Sequence, residues 1–467
     1  MKRITAIALL SSFLAITGCA VGPRYKRPDV DVPVAHRGID EENAGKTEAA
    51  SLADQKWWDV FQDPQLQQLE RTAIEQNYDV RIAATRILQA QAQLGITRSN
   101  QFPQINAGAS VDVQRNAAQP VQPVATNGSA GQLSLSAAWQ LDFWGKYRRA
   151  TEAARANLLA SEWARKQVMS TLVSDVATAY FQLRELDLEL EISQRTLASR
   201  RDSLKLTQLL ADHGATSMLD VRQAEQLVYT AAEQVPNLQR RIEQQENLLS
   251  TLLGKNPGPI ARGLKLTEQP HAPQVPAGLP SALLERRPDI RQAEQQLVAA
   301  NAQIGVAKAA YFPQITLTGD GGLQSPALTN LFTGPAGFFS LGGALTQPIF
   351  NAGRTRSTVK LTEAQKEEAV LVYKQTIQQS FRDVSDSLIA YTKNQEFRQQ
   401  QQLLTDAAQD AARLSDIRYK GGATSYLEVL TSQTNFLSAE LNLTQAQLNE
   451  LNSFVQLYRS LGGGWQQ

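Results

Sequence analysis

Few side chains in this sequence are placed so that they could perform chemistry together. The chain contains one cysteine, Cys19, and three histidines, His36, His213 and His271, which lie far apart in the sequence. This spacing gives no pair of histidines suited to bind a metal from one element, and one cysteine excludes a disulfide framework or a thiolate zinc cluster. We find no nucleophile–base–acid set and no phosphate-binding loop. We therefore predict that the protein is not an enzyme and uses no metal or cofactor.

Cys19 lies where a lipid modification would need it. A basic N-terminus precedes an apolar stretch at residues 4–16, which is typical of a secretory signal peptide. Small residues before the cysteine resemble the bacterial lipobox, in which the signal is cleaved before a cysteine that is then acylated. We predict a signal peptide at residues 1–18 and lipidation, including palmitate, at Cys19, with a buried cysteine in a short membrane anchor as the alternative. Ala20, rather than aspartate, follows Cys19, which for this lipoprotein class implies export to the outer membrane.

Charge and hydropathy exclude two further classes of protein. Lys and Arg total 46 against 45 Asp and Glu, so the chain lacks the basic excess of a nucleic-acid-binding protein. Beyond residue 20, no apolar run reaches 18 residues, which excludes a polytopic helical membrane protein.

The chain consists of one unit written twice. The tetrapeptide Phe-Pro-Gln-Ile at residues 102–105 recurs 210 residues later, and Gly-Ala-Thr-Ser at 214–217 recurs 208 residues later. Agreement in the same order at both markers indicates an internal duplication. We predict an N-terminal segment at 19–64, a first repeat at 65–253, a proline-rich linker at 254–280, a second repeat at 281–461 and a tail at 462–467.

Each repeat contains a predicted β-hairpin, at about 104–143 and about 314–350. Apolar residues alternate with polar ones through these segments, and aromatic residues lie near the strand ends. A soluble sheet with one wet face has this pattern, but so does a transmembrane β-barrel, which we favour in an outer-membrane lipoprotein. Four strands cannot close a barrel, and open edges in lipid would leave backbone groups unsatisfied. Identical chains must therefore share one barrel: two chains would give eight strands and a filled interior, three would give twelve strands and a lumen.

Long helices make up most of each repeat. Residues 146–211 and 355–420 contain neither glycine nor proline, and at about 1.5 Å per residue each would extend roughly 100 Å. Leucine or valine recurs every seven residues in 176–204, the spacing of a coiled-coil seam. Helices at about 218–253 and 426–461 return, and we expect Pro236 to kink or break the first of them. The predicted fold is mainly α, with a small transmembrane β part.

The segments that join these helices, at about 212–220 and 420–428, are predicted to be tight turns. Gly214 and Gly422 can take the positive φ that ends a helix. Ser217 with Asp220, and Ser425 with Glu428, have the spacing of capping boxes that begin the next helix.

These motifs together resemble the outer membrane efflux protein family of TolC-like factors, in particular its OprM-type lipoprotein branch. Besides both Phe-Pro-Gln-Ile and both Gly-Ala-Thr-Ser segments, the chain has Trp57-Trp58, Asp63-Pro64 and the run Arg-Arg-Pro-Asp-Ile at 286–290. The resemblance implies a homotrimer whose twelve strands form one outer-membrane barrel in contact with lipid, and whose helices form a periplasmic tunnel. It also implies two partners, a periplasmic adaptor protein and an inner-membrane transporter of the resistance-nodulation-division type.

The resemblance also assigns roles at the turns. It places adaptor docking on Gly214, Ala215, Thr216, Ser217, Leu219, Gly422, Ala423, Thr424, Ser425 and Leu427. Polar residues near the turns close the tunnel in this family, and by position the candidates are Asp220, Arg413, Asp416, Arg418, Tyr419 and Glu428. Thr431 stands where a relative has a second acidic residue.

We therefore predict a passive outer-membrane duct of a drug-efflux system, with antibiotic resistance as its phenotype. A duct for polypeptides in a type I secretion system shares the architecture, and lipidation with the Arg-Arg-Pro-Asp-Ile run favours efflux. A structural coiled-coil lipoprotein that spaces the envelope is a third hypothesis.

Overall fold

The computed structural model describes residues 20–34, 36–37, 51–116, 126–270 and 280–465. Cys19 and the predicted signal peptide lie outside these residues. The chain divides into two compact units. The first comprises Met1–Asp29, Arg86–Ser161 and Ala293–Tyr373, and the second comprises Val30–Thr85, Glu162–Gln292 and Lys374–Gln467.

Helices dominate the structure, and the two repeats have matching elements. In chain order these are α1 (Trp57–Val60), α2 (Pro64–Gln76), α3 (Tyr78–Ser99), β1 (Gln104–Asn116), β2 (Thr126–Leu141), α4 (Lys146–Asp212), α5 (Met218–Leu252), α6 (Leu283–Arg286), α7 (Pro288–Ala309), β3 (Gln314–Ser325), β4 (Gly337–Thr346), α8 (Arg354–Lys420) and α9 (Tyr426–Ser460). Helices α4 and α8 each have 67 residues, and α5 and α9 each have 35. Among the described residues, no helix combines the length and apolarity needed to cross a bilayer.

The four strands of the first unit form one antiparallel sheet in the order β1-β2-β3-β4. The predicted strands are confirmed, and the pairing of β1 with β2 runs to Asn116 and Thr126. Residues 126–132 lack apolar alternation, yet their backbone pairs with β1, because ladder hydrogen bonds do not require apolar side chains. The structure ends β2 at Leu141 and not at Phe143, because the Asp142 carboxylate accepts from the backbone N–H groups of Tyr147 (3.2 Å) and Arg148 (2.8 Å) at the start of α4.

One face of this sheet is apolar and exposed. Odd-numbered residues share a face on all four strands, as the pairs Ile105–Ala137 and Leu133–Leu323 illustrate. The exposed large side chains on this face are Ile105, Val111, Val113, Leu133, Leu135, Trp139, Leu317, Phe339, Leu341 and Leu345. The opposite face is polar, and Ser136, Asp320 and Ser340 lie in register across three strands.

The first described residues of the chain form an extended strap on α7 in the first unit. Gly22 packs against Gly305, where a Cβ on Gly22 would lie 2.5 Å from the Gly305 Cα. One helical turn closer to the start of α7, the Asn301 side chain donates to the Pro23 carbonyl (3.0 Å). Three turns closer to the start, Arg27 donates two hydrogen bonds to the Glu294 carboxylate (both 2.7 Å). The N-terminal segment is therefore held along α7 by both shape and charge.

The core of the second unit is organised around a buried carboxylate. Asp63 caps α2 by accepting from the Gln65 backbone N–H (2.8 Å). Its second oxygen accepts from the Tyr180 hydroxyl (2.8 Å), the Leu264 N–H (3.0 Å) and the Gln269 amide (2.9 Å). These bonds tie the linker to α2 and α4, so the Asp-Pro motif has a structural role.

Helix α5 continues past Pro236, where the sequence predicts a kink or a break. The helix is not broken there, because Val228, Leu238 and Ile242 on either side of the proline are buried and hold both halves. Part of the proline-rich linker is buried, since Leu266 is 1% exposed and begins a short 3₁₀ turn.

Candidate functional site

The turns after α4 and α8 have the same backbone geometry. We refer to residues 212–220 as tip 1 and to residues 420–428 as tip 2. Gly214 and Gly422 have φ values of +74° and +71°, as predicted. In each tip the N–H of the alanine after the glycine donates to a helical carbonyl. Ala215 donates to Leu210 in tip 1 (2.8 Å), and Ala423 donates to the equivalent carbonyl in tip 2 (2.9 Å). Both glycines thus end their helices in a Schellman turn.

Tip 1 contains the capping box that its sequence predicts. The Ser217 hydroxyl accepts from the Asp220 N–H (3.3 Å), and the Asp220 carboxylate accepts from the Ser217 N–H (3.2 Å). The Thr216 hydroxyl also donates to this carboxylate. These bonds favour the ionised form, and the one from Thr216 contributes most to lowering the pKa of Asp220 below its ordinary value.

Tip 2 does not contain the predicted capping box. The Ser425 side chain makes no capping bond. The Glu428 carboxylate instead accepts from the Thr424 hydroxyl and pairs with Arg418 across the turn (3.3 Å). Glutamate is one methylene longer than the aspartate of tip 1, so its carboxylate reaches past the serine to a cation at the end of α8. The repeats share a backbone turn but differ in charge pairing.

A small apolar cluster joins the four helix ends behind the tips. Tyr426 and Val429 of α9 pack with Ala224 of α5. Leu204 of α4, Tyr419 of α8 and Leu430 of α9 pack against these three residues. The two tyrosine rings lie 5.4 Å apart. Burial raises the pKa of Tyr419, and the negative charge of Asp220 adds to the effect.

Tyr426 was not among the residues singled out from the sequence. It occupies the position that Met218 has in tip 1, yet Tyr426 is 6% exposed whereas Met218 is 59% exposed. In the sequence, the only indication of this difference is that the second repeat has tyrosine where the first has methionine.

The structure does not bring the six candidate gate residues into one network. Arg413 pairs with Asp410 one turn earlier (3.3 Å), and Asp416 pairs with Lys420 one turn later (2.7 Å), all within α8. Among the six candidates, Arg418 and Glu428 form an ion pair between α8 and α9. In the part of the chain that the structure describes, no group of His, Cys, Asp or Glu is arranged to hold a metal ion.

The predicted docking residues present both backbone and apolar side chains to solvent. Leu219 is 65% exposed and Leu427 is 63% exposed, although both are large apolar residues. A Cβ on Gly214 or Gly422 would meet nothing within 4 Å. The tips therefore combine rigid turns with an open, partly apolar surface, which suits contact with another protein.

The sequence matches the family described as outer membrane efflux protein over residues 69–255 and 279–463, one match for each repeat. It is 38% identical over 470 residues to the toluene efflux pump outer membrane protein TtgC of Pseudomonas putida, covering 99% of this chain and 96% of the relative. It is 34% identical to the probable outer membrane lipoprotein SilC of Salmonella typhimurium, covering 98% of each chain. Among solved structures, the outer-membrane channel OprN has a TM-score of 0.88 at 31% identity, covering 96% of this chain and 100% of that one.

Proposed function

The chain belongs to the outer membrane efflux protein family, and from this premise we propose that it is the outer-membrane duct through which a drug-efflux pump expels small toxic compounds. The sheet is the observation that carries the proposal. It exposes ten large apolar side chains on one face. In water such a face would promote aggregation, whereas a barrel in lipid requires it. The duct is passive, and the transporter supplies the driving force.

We propose that three copies complete the duct. The outer edges of β1 and β4 have no strand partner among the described residues, so each sheet offers two open ladders. Open ladders are not tolerated in lipid, and pairing β4 of one copy with β1 of the next closes the cylinder. Twelve strands leave a lumen, which the eight strands of a dimer would fill.

The substrates are proposed to be small molecules. TtgC, which is 38% identical, is named for toluene efflux, and this name supports small apolar compounds over polypeptides as the cargo. A polypeptide duct of a type I secretion system is the second candidate, and it predicts dependence on an ABC exporter. A resistance-nodulation-division transporter is the inner-membrane partner that our proposal requires.

We also propose that the tips dock a periplasmic adaptor and close the duct until it binds. The exposed Leu219 and Leu427 support docking. The Arg418–Glu428 pair and the packed Tyr419 and Tyr426 rings support closure, because each joins α8 to α9. Arg413 and Asp416 pair within their own helix, so their role in closure has less support.

Drug resistance in cells tests the proposed function. The chain is expressed in a bacterial host whose own efflux duct has been deleted, with and without deletion of the host's adaptor. We expect resistance to toluene and antibiotics to be restored only when the adaptor and a resistance-nodulation-division transporter are present. Resistance that requires an ABC exporter would refute the proposal. So would the absence of resistance when the chain is inserted in the outer membrane.

A further inference from the structure

A polar pocket lies between α4, α8 and α9 of the second unit, far from both tips in the sequence. Its volume is about 550 Å³, and it opens to solvent. Serine, asparagine, glutamine, arginine and aspartate form all of its lining except Pro288 and Ala390. Ligand sites for apolar compounds are lined mainly by apolar and aromatic side chains, so this lining suits a polar ligand and not an apolar cargo.

Arg287 is the arginine of this pocket that already has partners. Its side chain is 10% exposed and pairs with Asp289 (2.6 Å) and Asp383 (3.4 Å). It also donates to the Ser460 carbonyl (3.1 Å). Most of its N–H groups are therefore engaged, and Arg287 holds α7, α8 and α9 together at one side of the pocket.

Arg459 and Asn452, both on α9, have binding capacity that the chain does not use. Among the described residues, the Arg459 guanidinium forms no ion pair. Burial raises the pKa of Asp175 in α4 and the charge of Arg459 opposes this shift, yet the two groups do not come within ion-pair distance. The Oδ1 atom of Asn452 is buried without a hydrogen-bond partner in the same described part of the chain. An unpaired buried acceptor is costly, and a ligand N–H would satisfy it.

Asp386 supplies the opposite charge from α8. Its side chain is 71% exposed, and its contact with Arg382 in the same helix is 3.8 Å long. The pocket thus offers a cation on α9, an anion on α8 and the amides of Gln167, Asn394 and Asn452. This set matches a ligand that carries a carboxylate, an amino group and amide bonds, which is the chemistry of a short peptide.

We infer that this pocket binds a peptide of the bacterial cell wall, with a carboxylate of the peptide on Arg459 and an amino group on Asp386. The inference rests on the proposed function, which places these helices in the periplasm, where the cell wall lies. A guanidinium binds a carboxylate through two parallel charge-assisted hydrogen bonds. Binding of this kind would anchor the duct to the wall that its helices cross.

A peptide attached to the wall fits the pocket better than a free peptide. The pocket is open, so a peptide can enter it without leaving its polymer. Partly exposed ion pairs contribute little individually, so a free peptide would dissociate readily. Peptides that repeat along one polymer engage the pockets of the three proposed copies together, which raises the overall affinity without new contacts.

Co-sedimentation of the purified channel with purified, insoluble cell-wall sacculi tests the inference. Arg459→Gln is expected to lower the affinity for sacculi by about 10-fold or more, the usual effect of losing a charge-assisted contact. Lys393→Gln is the matched control, because it removes an exposed positive charge next to Asn394 but does not line the pocket. It should sediment as the unmodified chain does.

A second variant tests the same site without removing the arginine. Gln456 lines the pocket and is exposed, and it precedes Arg459 by three residues on α9. In Gln456→Glu the new carboxylate is placed to pair with Arg459, so binding to sacculi should weaken while heat-resistant oligomers still form. The soluble disaccharide-peptide that muramidase releases from the sacculi is expected to compete only at far higher concentration.

Each remaining result identifies a different failure. Equal binding of the unmodified chain, Arg459→Gln and Gln456→Glu to sacculi overturns the inference while leaving drug resistance, and hence the proposed function, intact. Loss of oligomers in both variants overturns it in favour of a second copy of the chain as the occupant. Equal affinity for the soluble fragment and for sacculi overturns it in favour of free peptides. An unmodified chain that binds sacculi through Arg459 but confers no resistance supports the pocket and refutes the proposed function.

Discussion

At the scale of single residues, the tips show how a duplicated motif acquires two roles. Asp220 and Glu428 occupy equivalent positions, and each accepts from the threonine four residues earlier. Asp220 also completes a capping box, whereas Glu428 reaches Arg418. A longer carboxylate at Glu428, together with Arg418 where the first repeat has Leu210, thus replaces a helix cap by a link between two helices. On this ground we propose that tip 2 closes the duct.

Replacing both Gly214 and Gly422 by valine is expected to abolish drug resistance while leaving assembled channels intact. A Cβ at either position meets no other atom, so the effect comes from the positive φ alone, at about 1–2 kcal/mol for each turn. Resistance and the amount of heat-resistant oligomer are measured in the same cells.

The control for this experiment is asparagine at both positions. Asparagine tolerates a positive φ better than other residues, so this variant should retain much of the resistance. If the valine variant confers resistance like the unmodified chain, the tips are not the docking surface.

Glu70 offers a pH-dependent test of the second unit's core. Its carboxylate is fully buried without a hydrogen-bond partner among the described residues, and burial raises its pKa well above the ordinary value. The folded chain therefore keeps this proton at pH values where the unfolded chain has released it, so stability falls as pH rises above about 4.5.

Glu70→Gln is expected to reduce the loss of stability between pH 5 and pH 8, because glutamine has no proton to release in this range. The measurement is the free energy of unfolding in detergent at both pH values. Glu75→Gln in the same helix is the control, because Glu75 is exposed. Equal pH dependence in both variants would show that Glu70 is solvated in the folded protein.

At the scale of elements, the sequence predicted most boundaries because local signals determine them. The long helices α4 and α8 begin and end within one residue of the predicted limits, since glycines and caps interrupt an otherwise unbroken pattern. Of the two outcomes expected at Pro236, a break does not occur, because burial on both sides of the proline outweighs a lost backbone bond. The predicted capping box at Ser425 is absent, because the longer Glu428 side chain pairs with Arg418 and not with the start of α9.

Arg200 shows what sequence patterns cannot supply. Arg200 and Arg201 are adjacent arginines, and only the packing of α8 and α9 against α4 decides which of them is buried. The position of the N-terminal strap also depends on contacts between residues more than 250 positions apart.

The strap leads to a prediction about the proposed lipid anchor. Cys19→Ser is expected to lose labelled palmitate yet still form heat-resistant oligomers, because strand closure in the proposed barrel joins the copies. Gly22, Asn301 and the Arg27–Glu294 pair also hold the strap in its own chain without any lipid. Labelling and electrophoresis of unboiled samples measure both outcomes. Complete loss of oligomers would mean that acylation, and not strand closure, holds the channel together.

At the scale of the whole molecule, duplication explains how one chain could contribute a third of the proposed channel. Each repeat supplies one hairpin, one 67-residue helix and one 35-residue helix. The hairpins join through β2 and β3 into one sheet, which leaves β1 and β4 as its edges. The predicted mainly helical fold with a small sheet, and membership of the outer membrane efflux family, are confirmed.

Ionic current across a planar lipid bilayer, recorded from purified particles of known mass, tests most directly whether identical chains enclose a water-filled lumen. The account predicts particles of three chains that insert from detergent and give discrete current steps. Steady insertion without current, or current from particles of one chain, would contradict it.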